Sequence, residues 1–434
     1  MPNLTREQIE KRIILLMGSR SYRANPFAQA AERLGLQVVK GIDLPKELAD
    51  YYKPTLPLQF ADPDRATQDL VAYAKAQPVH TILAVDDDAT VIAARACAEL
   101  DMVHNSPDAA YAAKHKQVMR ERLQRANVPS PRFQLFSAND DPDALAAEAA
   151  YPCVVKPTML SASQGVIRAN DPAEFVAAFK RTGAIIRATG AESNILVEDY
   201  IPGIEVALEG ILSGGRLKLL ALFDKPDPLV GPFFEETIYV TPSRLPRETQ
   251  QAILDCAVRA CAAIGLREGP IHAELRVNDA GPWVVEVAGR SIGGLCAKIL
   301  RFGTEEMSLE ELILRHAMGL DVAPLQREER AGGEPPMADN SFKVIGGVMM
   351  IPISCAGILN RVAGLEDACA VPGIEEIEIS IPLKNPVVPL PEGNAYLGFI
   401  FARGESPERV EESLREAHHR LRFDIAPKIS LMPG

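Results

Sequence analysis

The chain has 434 residues, 47% of them hydrophobic and 24% charged, with a formal net charge of -12. A chain of this length buries more than one hydrophobic core, so we expect a globular protein of two or three domains. The negative charge and the lack of a basic run exclude a protein that binds nucleic acid through the phosphate backbone. The seven cysteines include no CxxC pair, so we expect reduced, mostly buried thiols and no zinc site.

The N-terminal segment, MPNLTREQIEKR, has no apolar core of signal-peptide length and carries both charge signs. The most apolar stretch, near residues 344–359, is interrupted by glycine and proline and is not expected to span a membrane. We therefore predict a cytoplasmic protein with no membrane partner.

Strands alternate with helices over residues 12–110. Apolar strands are predicted at residues 12–17 and 81–85, and a helix is predicted at residues 89–100. This alternation is typical of a doubly wound α/β domain, which we place at residues 1–110.

Two loops of this first domain bear on its function. The first strand is followed by Gly18-Ser19-Arg20, which lacks the GxGxxG spacing of dinucleotide-binding proteins, so a dehydrogenase is excluded. Three aspartates at residues 86–88 stand where a strand turns into a helix. We interpret them as residues that cap the helix N-terminus and complement the helix dipole, rather than as a metal site.

A second unit, residues 111–325, is expected to be α+β, with one lobe at about 111–195 and another at about 196–325. It opens with a charged helix at residues 112–126, which a proline-rich turn ends. Its further predicted elements are strands at 153–156 and 195–198, a helix at 172–180, and strands within 205–223.

The C-terminal part begins after a charged segment without periodicity, residues 326–341, which we interpret as a linker. Strands and a final helix then predict a small α+β domain at residues 342–434. Its predicted elements are strands at 344–353, 377–381 and 395–402 and a helix at 406–421.

A hairpin near residue 280 brings two glutamates together. If residues 278–282 form its loop, Glu274 and Glu286 face each other on one side of the sheet. At about 5 Å and an effective dielectric constant of about 20, two carboxylates repel by about 3 kcal/mol, so a cation such as magnesium is expected between them. A solvated sheet face explains the two glutamates equally well. Arg290, four residues further on, could orient a phosphate or a substrate carboxylate.

Two lysines precede this hairpin in the chain. Lys156 ends a buried strand and is followed by residues 158–166, whose hydroxyls, backbone N–H groups and single glycine suit a loop that closes over phosphates. Taken alone, Lys156 is better explained as a strand residue whose ammonium reaches solvent, and Lys116 as a solvated helix residue.

Taken in order, these motifs resemble the ATP-grasp superfamily. They are the two lysines, the serine-rich loop, the sequence EDYIPGIE at residues 198–205, and the glutamate pair that ends in E-x-x-x-R. The resemblance covers residues 100–325 and implies two-lobed ATP binding, with magnesium, or manganese in its place, bound by Glu274 and Glu286. The residues that it implies for the nucleotide are Lys116, Lys156, Ser161, Ser163, Gly165, Glu198, Asp199, Tyr200, Ile201 and Glu205.

These implied residues divide by the part of ATP that they would contact. The two lysines contact the phosphates and the serine-rich loop folds over them, while residues 198–201 frame the adenine and Glu205 contacts the ribose. Two positions depart from the family pattern. Ala288 stands where the family often has an asparagine ligand, and Ala162 stands where relatives often carry glycine in the loop.

The remaining architecture resembles L-amino-acid ligases with a biotin-carboxylase-like N-terminal domain. No biotin-acceptor motif of the Ala-Met-Lys-Met type occurs, which argues against a complete biotin enzyme. The resemblance offers Glu235 and Glu236 as substrate-binding residues, whereas Tyr239 stands where a histidine is expected. We interpret His272 as a structural strand residue rather than an acid–base catalyst.

The resemblance implies an ATP-dependent carboxylate–amine ligase that forms an amide or peptide bond through an acyl phosphate, on amino acids or related small acids. Lys156 and magnesium would offset charge on the transferred phosphoryl group, and Arg290 would hold the acyl phosphate. Two alternatives stay open: a carboxylase-type partial reaction through carboxyphosphate, and a non-catalytic nucleotide-binding regulatory module. The expected partners are small molecules, and the apolar first and third domains are compatible with a homodimer.

Overall fold

The computed structural model of the chain describes residues 11–19, 21–45, 47–48, 55–190, 194–303, 306–320 and 345–427. The predicted linker at residues 326–341 lies outside these ranges. No helix within them combines the length and the apolar character that crossing a bilayer requires.

A parallel four-stranded sheet forms the N-terminal part, with strand order β3-β2-β1-β4. Five of the six residues of β1 are buried, as expected for a parallel strand covered on both faces. The doubly wound α/β fold is therefore confirmed. Its elements are β1 (Arg12–Met17), α1 (Ala24–Arg33), β2 (Gln37–Asp43), β3 (Thr55–Leu58), α2 (Pro63–Ala76), β4 (Thr81–Ala84) and α3 (Thr90–Glu99).

The predicted helix at residues 112–126 is wrong, because two helices meet there at His115. The backbone of His115 is extended, with φ -96° and ψ 106°, which ends the first helix and starts the second. The break places Lys116 in the first turn of the second helix, where its side chain is buried. The two helices are α4 (Pro107–Lys114) and α5 (Lys116–Arg125).

An antiparallel four-stranded sheet in the order β5-β8-β6-β7 forms the first lobe. Helix α7 packs on this sheet and begins where the Asp171 side chain accepts a hydrogen bond from the backbone N–H of Glu174. The elements are β5 (Phe133–Ser137), α6 (Pro142–Ala146), β6 (Cys153–Pro157), β7 (Ile167–Ala169), α7 (Pro172–Thr189) and β8 (Asn194–Asp199).

An eight-stranded sheet forms the body of the molecule, in the order β13-β12-β9-β10-β11-β14-β18-β16. Its first five strands precede residue 320 and its last three follow residue 345, so one sheet crosses the boundary predicted at residue 342. The first group of elements is β9 (Ile204–Ser213), β10 (Arg216–Asp224), β11 (Ile238–Thr241), α8 (Arg247–Ile264), β12 (Gly269–Asn278), β13 (Gly281–Ala288) and α9 (Leu309–Ala317).

The C-terminal elements add a three-stranded sheet in the order β17-β15-β19. They are β14 (Gly346–Ile351), β15 (Gly357–Ala363), α10 (Leu365–Cys369), β16 (Ile374–Ile379), β17 (Pro386–Val387), β18 (Gly398–Arg403), α11 (Pro407–Arg420) and β19 (Arg422–Ala426). The division into domains stays a prediction.

One hydrophobic cluster joins the three parts of the chain. It contains Met17 from the N-terminal sheet, Phe27 from helix α1, Phe223 from the large sheet, and Phe399 and Phe401 from β18. Because these buried side chains pack together, the loops that follow β1 and β4 are held close to the large sheet.

Candidate active site

The hairpin of β12 and β13 pairs Glu274 with Glu286, as predicted. The predicted five-residue loop is wrong, because Asn278 pairs with Gly281 and only two residues form the turn. A β-bulge at Val285 then shifts the register by one residue and restores the Glu274–Glu286 pair. Two deviations from the predicted hairpin therefore cancel at the functional pair.

Lys225 lies among three carboxylates beside this hairpin. Its Nζ is 2.7 Å from Glu205, 2.6 Å from Glu236 and 2.9 Å from Glu274, and its side chain is only 3% exposed. One oxygen from each glutamate lies within 4.8 Å of the others, the spacing of a set that could hold a metal ion. We call these four residues the Lys225 cluster.

Burial and neighbouring charges shift the pKa of each member of the cluster. Although burial opposes the charge of Lys225, the three glutamates raise its pKa well above the ordinary value. Burial raises the pKa of Glu236, and the neighbouring Glu274 charge adds to that increase. Against its own burial, Glu274 has a lowered pKa because Lys225 and His272 stabilise its charge.

Glu286 has a different cation beside it. Lys116 Nζ lies 3.5 Å from the Glu286 carboxylate and donates a hydrogen bond of 2.8 Å to the Leu160 carbonyl. The repulsion expected between Glu274 and Glu286 is therefore offset in the protein itself, by one lysine beside each glutamate.

Lys156 shares a buried carboxylate with an arginine. Its Nζ lies 2.6 Å from Glu198 Oε2, while Arg120 Nε donates to Glu198 Oε1 at 2.7 Å. Burial lowers the pKa of Lys156 to about 8, with Arg120 and Lys116 adding to the decrease and Glu198 opposing it. Glu198 therefore orients the two cations with its carboxylate.

The segment between β8 and β9 is fixed by arginines. Asp199 pairs with Arg132 at 2.6 Å, and the guanidinium of Arg168 lies 4.0 Å from the centre of the Tyr200 ring. Gly203 has φ +125°, and a Cβ there would stand 2.2 Å from the Val277 carbonyl, so only glycine fits this turn.

Arg276 joins this segment to the Lys225 cluster. Its guanidinium donates to the Ile201 carbonyl at 2.9 Å and to Glu205 at 2.9 Å. Glu205 is thus held between Arg276 and Lys225.

The serine-rich loop contacts the C-terminal part of the chain. The Gly165 N–H donates to the Pro391 carbonyl at 2.8 Å, and the Gln164 side chain donates to the Glu392 carbonyl at 2.7 Å. Ala162 and Ser163 both have positive φ, +53° and +55°, which explains why glycine is favoured at position 162. Ser161 is exposed and accepts a hydrogen bond from the Gln164 N–H through its carbonyl.

Arg290 extends from the large sheet to the N-terminal part, where its Nε donates to Asp87 Oδ2 at 2.8 Å. The capping part of the interpretation of residues 86–88 is wrong, because their side chains make no cap hydrogen bond. Asp87 and Asp88 do lie in the first turn of a short 3-10 helix, where their charge complements the helix dipole. Asp86 accepts from the Gly18 N–H and the Ser21 hydroxyl, and Asp88 pairs with Lys114. Each aspartate therefore has a different tertiary partner.

The two predicted substrate residues, Glu235 and Glu236, have different contacts. Glu236 belongs to the Lys225 cluster, whereas Glu235 accepts a hydrogen bond from the backbone of Ile353. The Tyr239 hydroxyl lies 3.5 Å from the Glu274 carboxylate, and the Lys225 ammonium lies 4.9 Å from the centre of the Tyr239 ring.

His272 lies between two glutamates, with Nδ1 2.6 Å from Glu209 and Nε2 3.5 Å from Glu274. Although burial disfavours its charge, these two contacts raise the pKa of His272 to about 9. A hydrogen-bonded, charged histidine agrees with the structural interpretation of this residue.

Sequence reasoning missed four side chains of the site: Lys225, Arg276, Arg120 and Asp87. Two of them carried a usable signal. Lys225 directly follows a buried strand, as Lys156 ends one, and Arg276 shares a sheet face with Glu274 because the two are two residues apart. Arg120 and Asp87 depend on contacts between distant segments, which no local pattern reveals.

Three family models match the chain. They describe an ATP-grasp N-terminal domain at residues 27–102, an ATP-grasp domain at residues 149–299, and the L-amino acid ligase C-terminal domain 2 at residues 349–426. The chain contains an ATP-grasp domain. The predicted fold class, with its ATP-grasp domain and the large sheet that carries the glutamate hairpin, is confirmed.

Several proteins similar to this chain are named as ligases. It is 26% identical over 433 residues to alanine–anticapsin ligase of Bacillus subtilis strain 168, covering 91% of this chain and 90% of that protein. It is 30% identical over 171 residues to D-alanine–D-alanine ligase of Pseudomonas entomophila strain L48, covering 38% and 50%. The crystal structure of an L-amino acid ligase from Bacillus licheniformis has the same fold, with a TM-score of 0.75, 24% identity and coverage of 96% and 99%.

Proposed function

We propose that this ATP-grasp carboxylate–amine ligase activates the carboxylate of an amino acid or a related small acid. In the first step the γ-phosphoryl group of ATP is transferred to a carboxylate oxygen, which gives ADP and an acyl phosphate. In the second, an amine nitrogen attacks the acyl carbon, phosphate leaves, the nitrogen loses a proton, and an amide forms. No side-chain nucleophile is required.

The Lys225 cluster is the observation that carries this proposal. A buried ammonium among three carboxylates offers a positive charge to a polyphosphate and hard oxygen donors to a metal ion. When phosphates approach, Lys225 can exchange a carboxylate partner for a phosphate oxygen, which frees glutamate oxygens for a cation.

Nucleotide binding would use the cations of the first lobe. Lys116 and Lys156 are both buried, and their ammonium groups lie beside the serine-rich loop and Glu198. In this proposal they contact the phosphates, Ser161, Ser163 and Gly165 close over them, residues 198–201 border the adenine, and Glu205 contacts the ribose.

Magnesium fits the oxygen donors of the hairpin. Glu274 and Glu286 oppose each other in the ladder, and both offer hard carboxylate oxygens. Ala288, paired with His272 in the ladder, offers no ligand atom, so any further ligand must come from the cluster, the nucleotide or water. Bound magnesium would offset the charge of the phosphates, and manganese could take its place.

Substrate recognition would use Arg290 and Glu236. An arginine binds a carboxylate or an acyl phosphate through two parallel hydrogen bonds, and a carboxylate attracts the ammonium of an amino acid. Glu236 is the better candidate of the predicted glutamates, because Glu235 is engaged with the Ile353 backbone. The partners are small molecules, and the homodimer stays a prediction.

A product screen tests the proposal. The full chain is incubated with Mg-ATP and pairs of amino acids or other small carboxylates. ADP release is measured, and the mass of the product is determined by mass spectrometry. We expect ADP release that needs both substrates and a product lighter than their sum by one water. ADP release with bicarbonate alone would indicate the carboxylase reaction instead, and ATP binding without any ADP release would indicate a regulatory module.

A further inference from the structure

We propose that Asp87, in the N-terminal α/β part of the chain, is a positioning residue for Arg290. This inference rests on the proposed function, which gives Arg290 the substrate carboxylate and the acyl phosphate. It extends the site to the turn that follows β4, a part of the chain that carries neither the nucleotide lysines nor the glutamate hairpin.

The contact itself is direct and largely shielded from water. Arg290 Nε donates to Asp87 Oδ2 at 2.8 Å, and the Arg290 side chain is 13% exposed. Arg290 Nη1 donates to the Ser291 carbonyl at 2.9 Å. Within the described ranges Nη2 has no hydrogen-bond partner, so the guanidinium keeps donor capacity for an anion while two of its nitrogens are fixed.

The N-terminal part also holds the backbone after Arg290. Arg23 is buried and donates to the Val85 carbonyl at 2.7 Å, to Ser291 at 3.1 Å and to Ile292 at 2.9 Å. The Gly294 N–H donates to the Tyr22 hydroxyl at 2.9 Å. The Arg23 and Tyr22 side chains thus fix the segment that carries the guanidinium.

Asp87 is rigid enough for this purpose. It follows the buried Val85 and starts a short 3-10 helix, Asp87–Ala89, where its carbonyl accepts a hydrogen bond of 2.8 Å from the Thr90 hydroxyl. A carboxylate on a fixed turn holds one orientation at little entropic cost, which is what positioning of a guanidinium requires.

Asp87 also competes with a second carboxylate for Arg290. Glu286 lies near enough to attract the guanidinium charge. If Asp87 loses its charge, Arg290 is expected to turn towards Glu286 and away from the substrate.

A double-mutant cycle on the full chain tests the inference. We compare Asp87→Asn, Arg290→Lys and the double variant, with Asp88→Asn as matched control, because Asp88 is the next residue and pairs with Lys114 instead. The probe is ADP release from Mg-ATP with an equimolar mixture of the twenty standard amino acids. The dissociation constant of ATP and the thermal midpoint are measured for each variant.

Asp87→Asn is expected to lower kcat/KM for the amino-acid mixture roughly tenfold to 100-fold, the loss that misplacement by about 1 Å produces. ATP affinity is expected to stay the same, Asp88→Asn to match wild type, and the double variant to be no slower than Arg290→Lys. If Asp87→Asn does not fold, Asp87→Ser replaces it in the same cycle.

Two results would overturn the inference in distinguishable ways. If Arg290→Lys is slow but Asp87→Asn is as fast as wild type, or if the two losses multiply in the double variant, Asp87 does not act through Arg290. If Arg290→Lys itself has the wild-type rate, the role of Arg290 in the proposed function fails and this inference fails with it.

Discussion

Lys156 and Lys225 each stand at the end of a buried strand, yet their surroundings shift their pKa in opposite directions. Lys156 shares one carboxylate with Arg120, and burial lowers its pKa to about 8. Lys225 contacts three carboxylates, which raise its pKa well above the ordinary value. Both lysines are buried, so the number of counter-charges decides whether the effect of burial on the pKa is overcome. In the proposed mechanism the first environment receives phosphates and the second a cation.

The largest effect is expected from Lys225→Met. Removing the ammonium leaves one buried and two partly buried carboxylates without their shared partner, which costs about 3–5 kcal/mol of unfolding free energy. Added magnesium should then stabilise this variant more than wild type, because the freed carboxylates can bind the ion. Thermal melts with and without magnesium measure both effects.

Lys218→Met is the matched control, since Lys218 lies on the same strand and burial lowers its pKa. A Lys225→Met protein that melts like Lys218→Met, with no extra response to magnesium, would contradict the cation role of the cluster.

Lys156→Met should keep the fold and weaken ATP binding. It removes the phosphate-facing charge but keeps most of the apolar stem, and loss of a charged hydrogen bond costs about 1.5–3 kcal/mol, roughly a tenfold to 100-fold change in dissociation constant. Calorimetric titration with ATP measures the change. Lys114→Met, which removes the half-buried partner of the exposed Asp88, serves as control. Equal affinities in the two variants would remove Lys156 from the site.

The lowered pKa of Lys156 predicts a pH limit. Above about pH 8 the free protein loses the Lys156 charge, so kcat/KM for ATP should fall there, well below the pH at which an ordinary lysine titrates. The free energy of unfolding should rise with pH between pH 8 and the ordinary lysine pKa. In that range Lys156 is deprotonated in the folded protein and protonated in the unfolded chain, so the unfolded chain binds more protons. A pH profile of Lys156→Arg, which keeps its charge, should stay flat. A wild-type profile equally flat to pH 10 would exclude this assignment.

The smallest effect is expected where the serine-rich loop contacts the C-terminal part. Glu392→Gln weakens the ion pair with Arg181, which is exposed and worth about 0.2–1 kcal/mol. Hydrogen exchange at residues 161–165 should accelerate slightly without nucleotide and slow down when ATP is added. Glu376→Gln, which weakens an exposed pair with Lys298, is the control. If the exchange rate changes neither in Glu392→Gln nor on addition of ATP, this loop neither closes over the nucleotide nor is held by the C-terminal part.

Local patterns predicted much of the fold and part of the site. Alternation and apolar runs gave the parallel sheet and the hairpin, because side-chain period depends only on neighbouring residues. The pair Glu274–Glu286 was predicted although its loop was not, since a bulge at Val285 compensated for a shorter turn. The break at His115 and the partners of residues 86–88 were missed, because they depend on contacts with segments far away in the chain.

The most direct test of the ligase mechanism is Glu286→Gln. The substitution removes the proposed metal ligand while keeping the shape of the side chain. The ion pair that Glu286 forms with Lys116 is 3.5 Å long and partly exposed, so its loss should change the melting point of the metal-free protein little. We expect ADP release to be abolished and the stabilisation by Mg-ATP to shrink, whereas Glu248→Gln on the exposed start of α8 should match wild type in both. A Glu286→Gln protein that turns over normally, or that Mg-ATP stabilises as strongly as wild type, would contradict the metal pair on which the mechanism depends.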